Sequence, residues 1–383
     1  MHALLGTVGA WNVFLLLTYL GAGLSAALWL RGLQLPQDAA LAGGLAFALA
    51  PYRSAQTAGG HLLGPVSMLL PLALFGLETR RAWLAIAAIA SIPLSGQVHL
   101  ALGAIPFFVL YALVRRRFAL GLAGATASAL CGLLVYLVSI RGSVGAGGRS
   151  FAQVERYSAE PLDFLTRHSR HGFESLVFVG WLLPVLALAG LALVWRRDRG
   201  LAAVLGIGVL VPIVLALGAN TPLYEPLWDL LPGLGHTRVP ERFLPIACLA
   251  LAALAAFAVA HLRWEWAAAA AVVLLAVDLR VEVYHPLGAD ESNDVYAALR
   301  AAPAPGRLLE RPVYLPDRQE GSVYLYYAMQ APRGRPLGYS TTAPPEADRV
   351  ARELQHGLEP ARLGVRWVVE YRRGRPLRLL TSP

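Results

Sequence analysis

The sequence predicts an all-α polytopic membrane bundle followed by a small C-terminal α/β domain, and three observations predict it. The 383 residues are 56% hydrophobic and only 15% charged, whereas a soluble domain carries about 25% charged residues. The apolar excess, a mean hydropathy of +0.53, is gathered into long runs. Adjacent arginines then close alternate runs, from Arg31 onward. All 33 basic residues are arginine, and the formal net charge is +9. With so much Ala, Gly and Pro, the missing lysine reflects a GC-rich coding composition. Basic charge in such a chain sets topology or meets phosphate, and no aromatic–basic RNA motif is visible.

A spanning helix needs about 20 mostly apolar residues, fewer where protein shields it. The runs predict helices near 9–30, 38–51, 62–78, 83–96, 98–114, 118–140, 176–195, 201–218, 243–261 and 266–280, roughly ten transmembrane helices. The first run has neither a basic leader nor a cleavage site, so it reads as a retained helix and not a signal peptide. Cys131 and Cys248 lie singly in apolar runs and form neither a metal spacing nor a disulfide framework. Arg31, Arg80–Arg81, Arg115–Arg117, Arg196–Arg197–Arg199 and Arg263 all fall at one side of this arrangement, which is the cytoplasmic side by the positive-inside rule. The N-terminus and everything after Arg280 then face outward. Arg141, Arg149, Arg156, Arg167, Arg170, Arg238 and Arg242 break the rule: either the topology is inverted or those arginines have an outward task, and the clusters of adjacent arginines on the other side favour the second.

Residues 1–280 thus form the bundle and residues 281–383 an extracytoplasmic domain. The latter are polar, proline-rich and free of any spanning run. There "GRLLERPVYL" and "GVRWVVEY" read as strands, "SVYLYYAMQ" and "EADRVARELQHG" as helices.

Polar residues concentrate in the outward connections. "ALAPYRSAQTAGGHLLGPV" interrupts an apolar stretch with Tyr52, Arg53, Gln56 and His61, Pro51 ending one helix and the Gly-Gly pair allowing a turn. "SGQVHLALG" puts Gln97 and His99 at a tight turn, and "ANTPLYEPLWDLLPGLGHTRVPERF" adds His236, Arg238, Glu241 and Arg242. Ionisable groups at membrane depth are costly unless they face the bundle interior or a watery cavity. Guanidinium forks bind phosphate oxygens, and Trp and Tyr suit the headgroup level, so the pattern fits a phosphate joined to a lipid tail. A carboxylate for proton transfer or metal binding could come from Glu160, Asp163 or Glu225. No nucleotide-binding glycine motif, histidine ligand pair or nucleophile elbow is present.

In their order and spacing, "APYRSAQTAGGHLLGPVSMLLPL", "ALGANTPLYEPLWDLLPGLGHTRVPERFLPIACLAL", "YLYYAMQAPRGRPLGYSTTAPP" and "LGVRWVVEY" resemble large bacterial membrane proteins related to the GT-C glycosyltransferases. These include YfhO-like membrane proteins and the arabinose and mannose transferases of cell envelopes. The resemblance implies a bundle with chemistry at its outer face and a polyprenyl-phosphate sugar as donor. It further implies a glycan, lipid or protein acceptor, an acidic residue in the first outward loop, often with a divalent metal (Mg or Mn), and Arg or His holding the donor phosphate. Carried over, it places the phosphate contacts at Arg53, His61, Arg238 and Arg242, with Tyr52, His99 and His236 as secondary candidates. The stretch "MHALLGTVGAWNVFLLLTYLGAGLSAALWLRGLQ" resembles the second or third helix of the family, and no Asp or Glu precedes Asp38. No catalytic base is therefore carried over, and an N-terminal truncation is expected. The expectation is a GT-C-like glycosyltransferase of the bacterial inner membrane, moving a sugar from polyprenyl phosphate to an envelope acceptor. Its rivals are a non-catalytic binder of lipid-linked sugar and a component of an envelope assembly.

Overall fold

A computed structural model describes residues 2–169, 172–231, 233–262, 265–282, 290, 292–302, 305–372 and 375–381. Arg170 and Arg263, both read above from the sequence, lie outside the described residues. The chain divides into two compact units, one of residues 1–135 and 149–284, the other of residues 136–148 and 285–383.

The first unit is helical. Its elements are α1 (His2–Gly32), α2 (Gln37–Ala48), α3 (Pro51–Ala58), α4 (Leu63–Val66), α5 (Leu69–Glu78), α6 (Ala82–Leu94), α7 (Val98–Val114), α8 (Phe118–Val135), α9 (Phe151–Arg156), α10 (Leu182–Arg197), α11 (Arg199–Ala216), α12 (Tyr224–Leu230), α13 (Leu244–Val259) and α14 (Glu265–Asp278). Among the described residues, four helical stretches are long and apolar enough to cross a membrane: Val8–Gly32, Phe118–Ile140, Arg199–Ala216 and Pro240–Val259. The other apolar helices are shorter. The 13 residues of α6 rise only about 20 Å, against a hydrocarbon core of about 30 Å. Roughly ten transmembrane helices were expected, the second, fourth and last of them short, and local chemistry explains part of the difference. Pro51 does not merely end a helix. It opens α3, occupying the first-turn position where its missing N–H costs nothing.

All sixteen residues of α13 are buried, and α13 packs against α10, α11 and α2. A helix enclosed on all sides needs small residues on its neighbours. A Cβ at Gly190 of α10 would sit 1.8 Å from the Leu254 carbonyl oxygen, so this crossing admits only glycine. Leu16, Leu17, Leu20, Leu24 and Leu28 of α1 are exposed instead, a lipid-like face.

The helix ends differ in chemistry. After α3, Gly60 takes a positive φ of 70° and the His61 N–H reaches back to the Gln56 carbonyl at 2.8 Å, closing a Schellman turn. After α5 and α7 the left-handed position is filled by Arg80 and Arg116. Next to these turns Arg115 makes a two-pronged contact with Glu78 (Nη2–Oε1 2.6 Å, Nε–Oε2 2.9 Å) and reaches Asp198 at 2.9 Å. Tyr111 donates to Glu78 at 2.7 Å and Trp29 to Tyr111 at 2.8 Å. Together these bonds tie α1, α5, α7 and the start of α11. Arg115, read from the sequence as a topology residue, is also a structural clasp.

The second unit holds a three-stranded sheet in the order β1 (Arg307–Arg311), β2 (Val365–Arg372), β3 (Arg375–Thr381), with β1–β2 parallel and β2–β3 antiparallel. Its helices are α15 (Asp294–Ala301), α16 (Ser322–Ala328) and α17 (Pro345–Gln355). The sequence indicated β1, β2, α16 and α17 and missed β3 and α15. Residues 136–148 join this unit through Val144 N to Ala343 O (2.9 Å) and Gly145 N to Thr341 O (2.8 Å). Its core holds Glu310, fully buried. Glu310 accepts from Arg335 at 2.7 Å, Tyr339 at 3.3 Å and Tyr296 at 3.4 Å.

Candidate functional site

Polar side chains from four distant stretches meet at one end of the helical unit. They are His61 after α3, His99 in the first turn of α7, Arg149 before α9, and the pair Arg238 and Arg242 before α13. The charges of Arg242 and Arg238 act on both His61 and His99, and that of Arg149 on His99. The turn Pro240–Phe243 runs directly into α13, so Arg242 is fixed to the most buried helix of the unit. His99 is buried, its ring edge-on to Phe243 at 5.9 Å, and its Nε2 accepts the Val239 N–H at 3.4 Å. Arg238 is half-buried over the Tyr157 ring at 5.9 Å.

Two features refine the expected chemistry. Burial first, then the charges of Arg242 and Arg238, push the His61 imidazole down to about 3. His61 is therefore neutral at physiological pH. Its Nδ1 accepts from Leu63 N at 3.2 Å, which leaves Nε2 as the protonated nitrogen, able to donate to a phosphate or hydroxyl oxygen. Arg242, in contrast, is engaged: its Nη2 bonds the Glu174 carboxylate, and both side chains are largely buried. Glu174 was only one of several acidic residues in the 141–175 connection, and nothing in its local sequence singles it out.

Arg53 stands apart from this group. It is fully buried, and its guanidinium donates to Gly64 O at 2.7 Å, to Ser67 Oγ at 2.5 Å and to Thr18 O at 3.1 Å. The Tyr19 and Phe47 rings lie 5.0 and 5.8 Å from it. Read from sequence as a phosphate contact, it instead braces α1 against α3 and α4. Tyr52 is buried as well, and His236 is exposed. Neither a family model nor a curated protein nor a solved structure matches this chain.

The three carboxylates considered from sequence are not gathered into a centre. Asp163 Oδ2 accepts the Glu160 N–H at 2.8 Å, a cap on the turn Pro161–Leu165. Glu225 is exposed on α12. Among the described residues no three His, Cys, Asp or Glu side chains cluster as a metal site. Beside the cationic group, Gly103, Pro106, Phe107, Gly208, Pro212 and Phe243 line an apolar groove of about 120 Å³ between α7 and α11. Gly103 and Gly208 of this groove admit the Phe243 and Phe107 rings, which would lie 2.8 and 2.6 Å from a Cβ at those positions. Phe243 belongs both to it and to the turn that carries Arg242.

Proposed function

We propose that this chain is a GT-C-like membrane glycosyltransferase that binds a polyprenyl-phosphate sugar at this cluster, on the outer side of a bacterial inner membrane, and passes the sugar to an envelope acceptor. The observation that carries the reading is the convergence of Arg149, Arg238, Arg242, His61 and His99 beside an apolar groove. Cationic forks and a neutral imidazole donor suit a phosphate, and the groove suits the isoprenoid tail joined to it. In this reading the shorter helices also cross the bilayer, shielded by their neighbours, and the C-terminal unit lies outside.

In the reaction the bond between the anomeric carbon and the phosphate oxygen breaks, and the electron pair stays on the phosphate. The arginines stabilise that charge. The acceptor hydroxyl oxygen bonds the anomeric carbon, and its proton passes to the released phosphate, which leaves as the bare lipid phosphate. A non-catalytic binder of the same lipid is the second reading, favoured because Glu174 is held by Arg242 and Asp163 is spent on a cap. Purified protein incubated with a labelled polyprenyl-phosphate sugar and envelope extract tests both. Label transfer that falls at least tenfold in Arg238→Ala supports the enzyme. Binding without transfer supports the carrier, and no binding refutes both.

A further inference from the structure

The opposite ends of α7 and α13 frame a second cavity, of about 120 Å³. Its polar lining is Gln34 from the turn after α1, Arg115 at the end of α7, and Arg197 and Asp198 at the junction of α10 and α11. Its apolar wall includes the buried Leu201 and Phe257. At 10–15 Å³ for each water, this is room for about ten water-sized groups, a polar headgroup and not a single ion.

The hydrogen bonds already made there show what the cavity still lacks. Asp198 is engaged at both oxygens, Oδ2 accepting from Arg115 Nη1 at 2.9 Å and Oδ1 from the Leu201 N–H at 2.9 Å. Arg115 spends three of its five N–H groups on Glu78 and Asp198. Arg197 is exposed and makes no hydrogen bond or ion pair among the described residues. The unused groups are thus guanidinium donors and the Gln34 amide. Arg31, Arg116 and Arg196 adjoin these walls in the chain, so positive charge exceeds the negative charge of Glu78 and Asp198. Such a site takes an anionic group with several acceptor oxygens. The level of the cavity is marked independently. Trp181, Val185, Leu188 and Trp195 are all exposed, at helical spacing along one face of α10. That face has the character of a lipid-facing stripe with an indole at each end, and indoles settle at headgroup level. Trp195 stands two residues before Arg197.

We propose that this cavity binds the headgroup of an anionic glycerophospholipid, its phosphodiester on Arg197 and the spare Arg115 N–H groups, its glycerol hydroxyls on Gln34. The acyl chains then lie along the exposed face of α10. By the positive-inside rule this is the cytoplasmic leaflet, where basic pockets between helices meet anionic lipid. The inference does not rest on the outward cluster or on any sugar transfer.

The test is a lipid titration of the full-length protein in detergent, read by native mass spectrometry. The probes are phosphatidylglycerol and phosphatidylethanolamine with identical acyl chains, and soluble glycerol 3-phosphate. One phosphatidylglycerol should bind about tenfold more tightly than phosphatidylethanolamine, the ratio carried by a hydrogen bond to a charged group. Arg197→Gln should remove that bound lipid, whereas Arg196→Gln and Arg238→Ala should leave it in place. Equal affinities of the wild-type protein for the two lipids overturn the proposal without needing any variant to fold. A preference that survives Arg197→Gln, or that is lost equally in Arg196→Gln, also overturns it, since either places the attraction outside this cavity. Glycerol 3-phosphate binding as tightly as the lipid would overturn the lipid assignment in favour of a free phosphate.

Discussion

Arg53 offers the sharpest test of how this unit is built. Its guanidinium makes the three hydrogen bonds that join α1, α3 and α4, and no carboxylate neutralises it among the described residues. A hydrogen bond from a charged donor contributes about 1.5–3 kcal/mol, and three on one group are not additive. Against them stands the desolvation of a buried cation, several kcal/mol. Arg53→Met keeps the volume and removes the charge, so we expect a loss of about 2 kcal/mol, the lost bonds being partly offset by the desolvation no longer paid. Arg53→Ala also opens a cavity beside Phe47 and should lose about 4 kcal/mol. Ser67 Oγ keeps its own bond to Gly64 O at 2.6 Å in both variants. The assay pairs thermal unfolding in detergent with lipid-phosphate binding measured well below the transition. Reduced stability in the order wild type, Met, Ala, with unchanged affinity of the folded fraction, fits a brace. Full stability together with lost binding in Arg53→Met would refute the reasoning, because it would make Arg53 a ligand contact.

Three further outcomes follow from the geometry. Because the folded protein holds His61 down to about 3, the unfolded chain binds its proton first as pH falls. The associated stability is complete above about 6.5 and is lost progressively toward pH 3. His61→Gln should therefore shift the acid-unfolding midpoint to lower pH, and an unchanged midpoint counts against a buried neutral ring. For the clasp at the other helix ends, a double-mutant cycle with Glu78→Gln and Arg115→Met should give a coupling of about 2 kcal/mol. Arg115 is a quarter exposed, which keeps this below the value for a fully buried pair. A coupling near zero would mean the contact is incidental. In the second unit, Glu310→Ala strands the Arg335 charge and should destabilise that unit by about 3–5 kcal/mol. Limited proteolysis of the full chain reads this as accelerated cleavage after residue 290, and an unchanged pattern contradicts it.

How much of this was legible in the sequence depends on how local the cause is. The apolar runs, the arginines at their ends, and the helices α16 and α17 follow from composition and period within a dozen residues. So does the turn after α3, where only Gly60 suits the left-handed position. Strand β3 was missed because its "RPLRLLT" has no alternating pattern of its own and gains its place by pairing with β2. The grouping of His61, Arg238 and Arg242 was legible as a set of polar interruptions. The exclusion of Arg53 from that set was not.

By itself, then, the sequence determined a chain of membrane-type helices with a polar C-terminal unit, because run length and residue period act through nearest neighbours. Only the tertiary structure decided which arginine braces and which could bind. Arg53 and Arg242 are chemically identical, and both stand among prolines and aromatics. Their fates are set by partners far along the chain, Thr18 for one and Glu174 for the other. The same holds for His61, made neutral by burial and by two arginines from before α13. Burial and charge depend on what the fold brings near in space, and no local pattern encodes that.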